Sequence, residues 1–83
     1  MKPSKTQRDI LRKMIDGAEI AFSSYKSSPW NEIRLGPLKI RSNTFEALVD
    51  RCWIKLTSDV TMCGIRTRRY RISALGRLAV RDD

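Results

Sequence analysis

Apolar side chains recur at helical intervals in the first quarter of the chain. Ser4 stands three residues before Gln7, which is the spacing of a capping box at a helix N-terminus. Gly17 follows the periodic segment and can adopt the left-handed conformation that ends a helix. The spacing predicts an amphipathic helix over about 5–16. Its apolar positions are Ile10, Leu11, Met14, Ile15 and Ala18.

The next segment, residues 19–41, permits two interpretations. Phe22 and Tyr25 continue the helical stripe from Ala18, but apolar and polar positions also alternate here as they do in strands. The serine-rich run "SSYKSSP" is poor helix material, and "EIRLGPLKI" alternates on both sides of a Gly-Pro turn signal. These observations favour strands over a second helix. The prediction is a strand over 19–25, a loop over 26–31 and a strand over 32–41 with a turn or bulge at Gly36 and Pro37.

A further helix is predicted from the segment "RSNTFEALVDRCWI". Ser42 or Asn43 can serve as its N-cap, and Asn43 stands three residues before Glu46, as in a capping box. The periodicity predicts a helix over about 43–52. Cys52 falls on the predicted buried side, where a free thiol behaves as a small hydrophobe. The apolar stripe consists of Phe45, Leu48, Val49 and Cys52.

The last third of the chain has the pattern of a β-hairpin followed by a short helix. The strand "WIKLTS" leads through the turn-rich "SDVTMCG" into the return strand "IRTRRYRIS". On the return strand, Tyr70 and Ile72 are predicted to face inward, with Arg66 and Arg68 on the same side towards the open end. Ser73 is the predicted N-cap of the final helix. Its predicted inward residues are Ala74, Leu75, Leu78 and Ala79.

These elements predict one α+β domain over 1–83 with the order α-β-β-α-β-β-α. The chain has 83 residues and carries a net charge of +8, from 17 Lys plus Arg against 9 Asp plus Glu. Proteins this basic tend to bind nucleic acid or anionic membranes. Residues 60–81 hold six arginines and no acid. Like charges on one strand repel each other, so an anion would relieve them, although charges that merely protect a strand edge remain an alternative explanation.

The residues that carry most enzyme chemistry are missing from the sequence. There is no histidine, the commonest general base and metal ligand, and no paired carboxylates or Gly-rich phosphate loop replace it. Cys52 and Cys63 cannot complete a zinc site alone. Reduced thiols are predicted for both, with a disulfide between them left open. The sequence predicts a non-enzymatic protein without cofactor or metal.

The N-terminal segment "MKPSKTQRD" is polar and runs into an amphipathic helix, unlike the apolar core of a secretory signal. No stretch approaches the roughly 20 apolar residues of a membrane span. We therefore expect a cytoplasmic protein with no membrane partner.

Two stretches of the second half resemble the winged helix-turn-helix DNA-binding domains of small bacterial and phage regulators. "IRSNTFEALVDRCWI" is similar to a capped recognition helix with its exit, and "YRISALGRLAV" is similar to the ending that follows the family's wing hairpin. The resemblance covers residues about 40–81, and the predicted strands of 19–41 take the place of the helix that precedes the recognition helix. It implies a helix in the major groove and a wing on phosphates or in the adjacent minor groove. The residues so implied are Ser42, Asn43, Thr44, Ala47 and Arg51 on the helix and Arg66, Arg68, Arg69 and Arg71 on the wing.

The expected function is therefore that of a DNA-binding protein, a small transcriptional or phage regulator that contacts duplex DNA. Asn and Arg can bind adenine and guanine edges through two hydrogen bonds, and a helix N-terminus adds donors for phosphate. Two alternatives remain: an adaptor that binds an acidic protein in a phage or nucleoprotein assembly, and an RNA-binding protein. A homodimer is possible, since small modules often bind DNA in pairs, through the terminal helices or the strands of 19–41.

Overall fold

The computed structural model describes residues 2–81. Its elements alternate short helices with antiparallel strands, in the order α-β-β-β-α-β-β-α. The predicted α+β class is confirmed, but the predicted order has one strand too few. The elements are α1 (Lys5–Ile15), β1 (Ile20–Tyr25), β2 (Asn31–Leu35), β3 (Leu38–Lys39), α2 (Ser42–Asp50), β4 (Ile54–Met62), β5 (Ile65–Ile72) and α3 (Ala74–Arg81).

The additional strand arises at the Gly-Pro turn of residues 36 and 37. Gly36 has a φ of 61°, so the chain reverses fully there instead of forming a bulge. Leu38 and Lys39 then pair with Leu35 and Arg34. The first strand prediction, 19–25, is confirmed by β1, which excludes the alternative of a helix in this segment.

The five strands form one antiparallel sheet in the order β3-β2-β1-β5-β4. β5 therefore lies inside the sheet, and β1 pairs with it from Ile20 opposite Tyr70 to Tyr25 opposite Ile65. The hairpin of β4 and β5 is thus supported by β1 up to its turn. The predicted wing hairpin is therefore part of the five-stranded sheet, because β1 pairs with the arginine-rich strand from Ile65 to Tyr70.

One face of the sheet carries the hydrophobic core. Phe45 of α2 packs against Phe22 of β1 and Tyr70 of β5, with ring centroids 5.4 and 5.0 Å apart. Leu11, Ile20 and Leu48 are fully buried. We call this the covered face. The other core residues are Ile10, Met14, Ile33, Leu35, Ile40, Trp53, Ile54, Ile72 and Val80.

The ends of α1 agree with the sequence pattern. The Ser4 hydroxyl accepts a hydrogen bond from the backbone N–H of Gln7, and the Gln7 side chain accepts one from the backbone N–H of Ser4. Gly17 has a φ of 107°, which only glycine adopts without strain. The predicted capping box and glycine stop of the first helix are both confirmed.

The ends of α2 differ from the prediction. Its N-cap is Arg41, which makes no side-chain capping bond, and the side chain of Asn43 accepts instead from the N–H of Thr44. The helix ends at Asp50, and Cys52 turns to a φ of 60° with its side chain exposed. The prediction that Cys52 is buried is wrong, because the helix ends before the stripe reaches it.

α3 shows a different inward side from the predicted one. Gly76 and Val80 are buried, whereas Leu75 and Leu78 are 54 and 51 % exposed. A Cβ on residue 76 would lie 2.2 Å from the carbonyl oxygen of Trp53, so only glycine permits this approach. The close contact sets the rotation of the helix. Of the residues predicted to face inward, Ala79 packs partly on the core, and Ala74, Leu75 and Leu78 do not.

Candidate nucleic-acid interface

The second face of the sheet has no helix over it in the part of the chain that the structure describes. None of its side chains is buried, whereas the covered face of the same strands carries the buried strand residues of the core. Small side chains occupy its centre and longer ones its margins. We call this surface the open face. It is formed by Ala21, Ser23 and Tyr25 of β1, Glu32 and Arg34 of β2, Lys39 of β3, Lys55, Ser58, Val60 and Met62 of β4, and Ile65, Thr67, Arg69 and Arg71 of β5.

A row of cations crosses the open face from one side to the other. Lys39 lies opposite Arg34, Arg34 opposite Ala21, and Ala21 opposite Arg69, which in turn faces Ser58. Three of these five positions are cationic, and the central residue is an alanine. The row is therefore a basic band with a short, uncharged side chain at its centre. We call it the basic row.

A second pair of cations lies one step towards the base of the sheet. Lys55 and Arg71 are directly opposite each other on β4 and β5. Like charges in this position destabilise a sheet unless a counter-ion relieves them. The carboxylate of Glu19 lies 3.3 Å from Arg71, so it offsets only one of the two charges. Both side chains line a depression that also includes Arg77.

The cations of this face differ in how they are paired. The guanidinium of Arg34 contacts the carboxylate of Glu32, two residues away on the same strand. Among the described residues, no carboxylate lies within ion-pairing distance of Arg69. Arg69, Lys39 and Lys55 are all exposed. These three side chains carry charge that the fold itself does not neutralise.

The four predicted wing arginines divide between the two faces of the sheet. Arg69 and Arg71 lie on the open face, and Arg66 and Arg68 on the covered side beyond the helices. Arg68 is half-buried, with its guanidinium carbon 5.9 Å from the ring centroid of Phe22. The alternation predicted for this strand is correct, but the arginines do not form one surface.

Arg66 is neutralised by a carboxylate that lies outside the acid-free segment of the sequence. Its Nε and Nη2 donate to the two oxygens of Asp59, at 3.0 and 2.7 Å. The hydrogen bonds from Arg66 and its positive charge hold the pKa of Asp59 below its ordinary value. The same hydrogen bonds and the negative charge of Asp59 raise the pKa of Arg66. The acid-free segment of the sequence therefore does not leave all its arginines unpaired, because Asp59 lies beside Arg66 and Glu19 lies beside Arg71.

The five residues predicted on the helix lie on α2 and at its C-cap. Ser42, Asn43 and Arg51 are exposed, and Thr44 and Ala47 are half-buried. The exposed side of α2 also carries Glu46 and Asp50. Two carboxylates repel phosphate, which disfavours a deep approach of this helix to a groove.

The start of α2 nevertheless lies beside cations. Asn43 and Thr44 line a depression of about 550 Å³ between α1 and α2. The positive end of the helix dipole points towards this site. The charged residues that line it are Asp9, Lys13, Lys39 and Arg41. Lys39 belongs to the basic row as well, so this depression continues the open face around the edge of β3.

Two aromatic side chains mark the outer end of the sheet. Tyr25 and Trp30 are 41 and 43 % exposed and lie edge to face, with ring centroids 6.3 Å apart. The other tryptophan, Trp53, is buried in the core. These rings are available for contact with a partner.

Arg34, Lys39 and Lys55 were not among the residues predicted for the site. Alternation in "NEIRL" places Arg34 on the other face of the strand from Ile33 and Leu35. This pattern could have indicated a cation that faces solvent. The pairing of β2 with β1 and of β3 with β2 is not visible in the sequence. Only that pairing aligns Arg34 and Lys39 with Arg69, whereas the register of β4 and β5 places Lys55 opposite Arg71.

Within residues 2–81, no helix is long and apolar enough to cross a membrane, and no cluster of three potential metal ligands is present. Cys52 and Cys63 are both free thiols. Comparisons with protein-family models, curated protein sequences and solved structures found no match to this chain.

Proposed function

We propose that this protein is a non-enzymatic DNA-binding protein that contacts duplex DNA through the open face of its sheet. The observation that carries the proposal is the band of cations on an uncovered surface, in which Arg69, Lys39 and Lys55 lack full neutralisation. Arg71 and Arg34 extend the band. Phosphate is the anion that such a band of guanidinium and ammonium groups fits best.

The dimensions of the band favour a duplex over a smaller anion. Neighbouring strands are about 4.8 Å apart, so Lys39 and Arg69, three strands apart, are separated by roughly 14 Å of sheet. The major groove of B-DNA is about 12 Å wide. Lys39 and Arg69 can therefore reach phosphates on either side of one groove, with Ala21 between them on the sheet.

In this proposal the first turn of α2 has a secondary role. Asn43 and Thr44 line one depression with Lys39, and Ser42 lines another with it, so all three provide polar groups at the margin of the duplex. The carboxylates farther along α2 restrict contact to this end. A regulatory role in transcription or in a phage, and a cytoplasmic location, remain predictions from the sequence.

The proposal is tested by titrating a mixed-sequence DNA duplex at several salt concentrations. If about five cations release counter-ions from phosphate, the log–log slope of affinity against salt is roughly −4 to −5. Arg69→Gln and Lys55→Gln should each reduce this slope by about 1. Arg66→Gln is the matched control, since it removes an arginine of the same strand that is paired with Asp59.

Two outcomes would overturn the proposal. One is the absence of duplex binding at low salt by a folded protein. The other is an equal loss from Arg66→Gln and Arg69→Gln, which would mean that overall charge matters and the open face does not. Structured RNA and an acidic protein serve as competitors. If either one binds more tightly than duplex DNA, it replaces duplex DNA as the proposed partner.

A further inference from the structure

The two edges of the sheet are protected very differently. The β3 edge is two residues long, follows Pro37 and carries Lys39, features that discourage pairing with another strand. The β4 edge is nine residues long, and from Leu56 to Met62 its only charged side chain is Asp59. Because no strand within residues 2–81 pairs with its outer side, β4 presents a row of main-chain donors and acceptors.

Two structural features confine the regular part of this edge. A shift in register between Leu56 and Ser58 interrupts β4, and the Thr57 hydroxyl donates to the Arg69 carbonyl oxygen at 3.2 Å. At the other end, Cys63 and Gly64 turn the chain with φ values of 54° and 80°. The uninterrupted segment is therefore 58–62, with Val60 at its centre.

This segment is complementary to itself in the antiparallel direction. Pairing about Val60 would place Val60 opposite Val60 of a second copy, Ser58 opposite Met62, and Asp59 opposite Thr61. Each pair joins side chains on the same side of the sheet, as antiparallel pairing requires. No two like charges meet, and Asp59 already has its charge offset by Arg66.

The exposed side chains of the segment also indicate a partner. Met62 is 69 % and Val60 49 % exposed, and both line a depression with Ile65 on the open face. Pairing with a second copy would cover the two valines with each other and each methionine with the other chain. A polar or acidic strand would leave these apolar groups without an apolar neighbour.

We propose that two copies of this chain associate through antiparallel pairing of their β4 edges over residues 58–62. The two sheets become one ten-stranded sheet with Val60 on its two-fold axis. The open faces continue into each other across the junction, so the dimer presents two basic bands. This interface differs from the terminal helices and the strands of 19–41 that the sequence suggested for a homodimer.

Sedimentation equilibrium over a concentration series up to the millimolar range tests the association. The expected mass rises from 9.6 kDa for one chain to twice that value. Val60→Lys places two lysines at the axis and should return the mass to that of one chain at all concentrations. Val49→Lys, the same change at an exposed position of α2, should leave the dimer intact.

Disulfide trapping tests the register, in a Cys52→Ser, Cys63→Ser background. Opposite residues in an antiparallel pair have Cα atoms about 4.5–5.5 Å apart, which is within disulfide range. Val60→Cys should therefore form a covalent dimer under mild oxidation. Ser58→Cys should not do so alone, but should cross-link when mixed with Met62→Cys.

The proposal is overturned if the wild-type protein has the mass of one chain at every concentration. It is equally overturned if Val60→Lys and Val49→Lys have the same effect on mass, or if Ser58→Cys cross-links alone as readily as Val60→Cys. Circular dichroism confirms that each variant is folded. Because these measurements contain no DNA, their failure is distinct from a failure of the duplex-binding proposal.

Discussion

The two faces of the sheet are built from alternate residues of the same strands, and they have opposite chemistry. On β5, Tyr70 and Ile72 are buried under the helices, while Arg69 and Arg71 point to the open face. On β1, Ile20 is fully buried, while its neighbour Ala21 lies at the centre of the basic row. A single strand thus contributes to stability on one side and to charge on the other.

The comparison also shows that counting arginines does not locate a binding surface. Arg66 lies beyond the helices on the covered side, where Asp59 pairs with it through two hydrogen bonds. Arg69 lies on the open face, where no described carboxylate pairs with it. Two arginines three residues apart on one strand therefore differ in how much charge they offer to a partner.

The largest difference between the faces should appear in Ile20→Ala. Ile20 is 0 % exposed, and loss of its side chain leaves a cavity between the sheet and the helices. Such changes lower the free energy of unfolding by about 2–5 kcal/mol. Urea denaturation measures the effect.

Ser23→Ala on the open face of the same strand is the control for that experiment. Its hydroxyl is 3.5 Å from that of Thr67, a long contact at a half-buried position. We expect its effect to stay within about 0.5 kcal/mol. Similar losses for both variants would contradict the assignment of a covered and an open face.

The second largest effect should be that of Gly76→Ala on α3. The new Cβ would overlap the Trp53 carbonyl and approach Ile72, so the helix must shift away from the sheet. Overpacking of this kind costs about 1–3 kcal/mol in the free energy of unfolding. The thermal unfolding midpoint should fall, although alanine favours helix formation.

Leu78→Ala is the matched variant on the uncovered side of α3. Leu78 is 51 % exposed, and we expect a change within about 0.5 kcal/mol. The sequence pattern predicted the reverse, with Leu78 inward. A larger loss from Leu78→Ala than from Gly76→Ala would restore that prediction and contradict the observed helix rotation.

The smallest effect concerns the paired arginine of the covered side. Hydrogen bonds from Arg66 lower the pKa of Asp59, whose value in the unfolded chain is about 3.9. The contribution of the pair to stability is therefore fully present at pH values above the unfolded-state pKa. It is lost as the pH falls through the lower pKa of the folded state. Solvent exposure keeps it small.

An NMR titration of the Asp59 carboxyl measures this interaction directly. In Arg66→Gln the pKa of Asp59 should rise towards its ordinary value, whereas Arg69→Gln should change it much less. If both variants shift the pKa of Asp59 equally, the result contradicts the claim that Arg66 pairs with Asp59 and Arg69 does not.

Local patterns predicted most of the secondary structure. The capping box of α1, its glycine stop and the alternation of β1 and β5 depend on residues close in sequence, and all are present in the structure. The errors arise where distant segments meet. Cys52 and Leu78 were both assigned to buried sides because a helical stripe does not show where the helix ends or which small residue approaches the sheet.

The candidate site shows the same division. Arg69 and Arg71 could be selected from charge and alternation alone. Arg34, Lys39 and Lys55 could not, since their place beside these arginines depends on strand pairs formed across the chain. The hairpin of β4 and β5 was predicted, but the assignment of "SDVTMCG" to its turn is wrong, because β4 continues to Met62 and this extension brings Asp59 beside Arg66.

By itself, the sequence determined the α+β class, the ends of the first helix, the basic charge and the two-sided character of the arginine-rich strand. These properties follow from composition and from intervals of two to four residues. The tertiary structure decided that β5 is an inner strand, which arginines are paired, and that the cations of four strands share one uncovered face. Strand order and register bring together residues far apart in the chain, and local periodicity carries no information about those contacts.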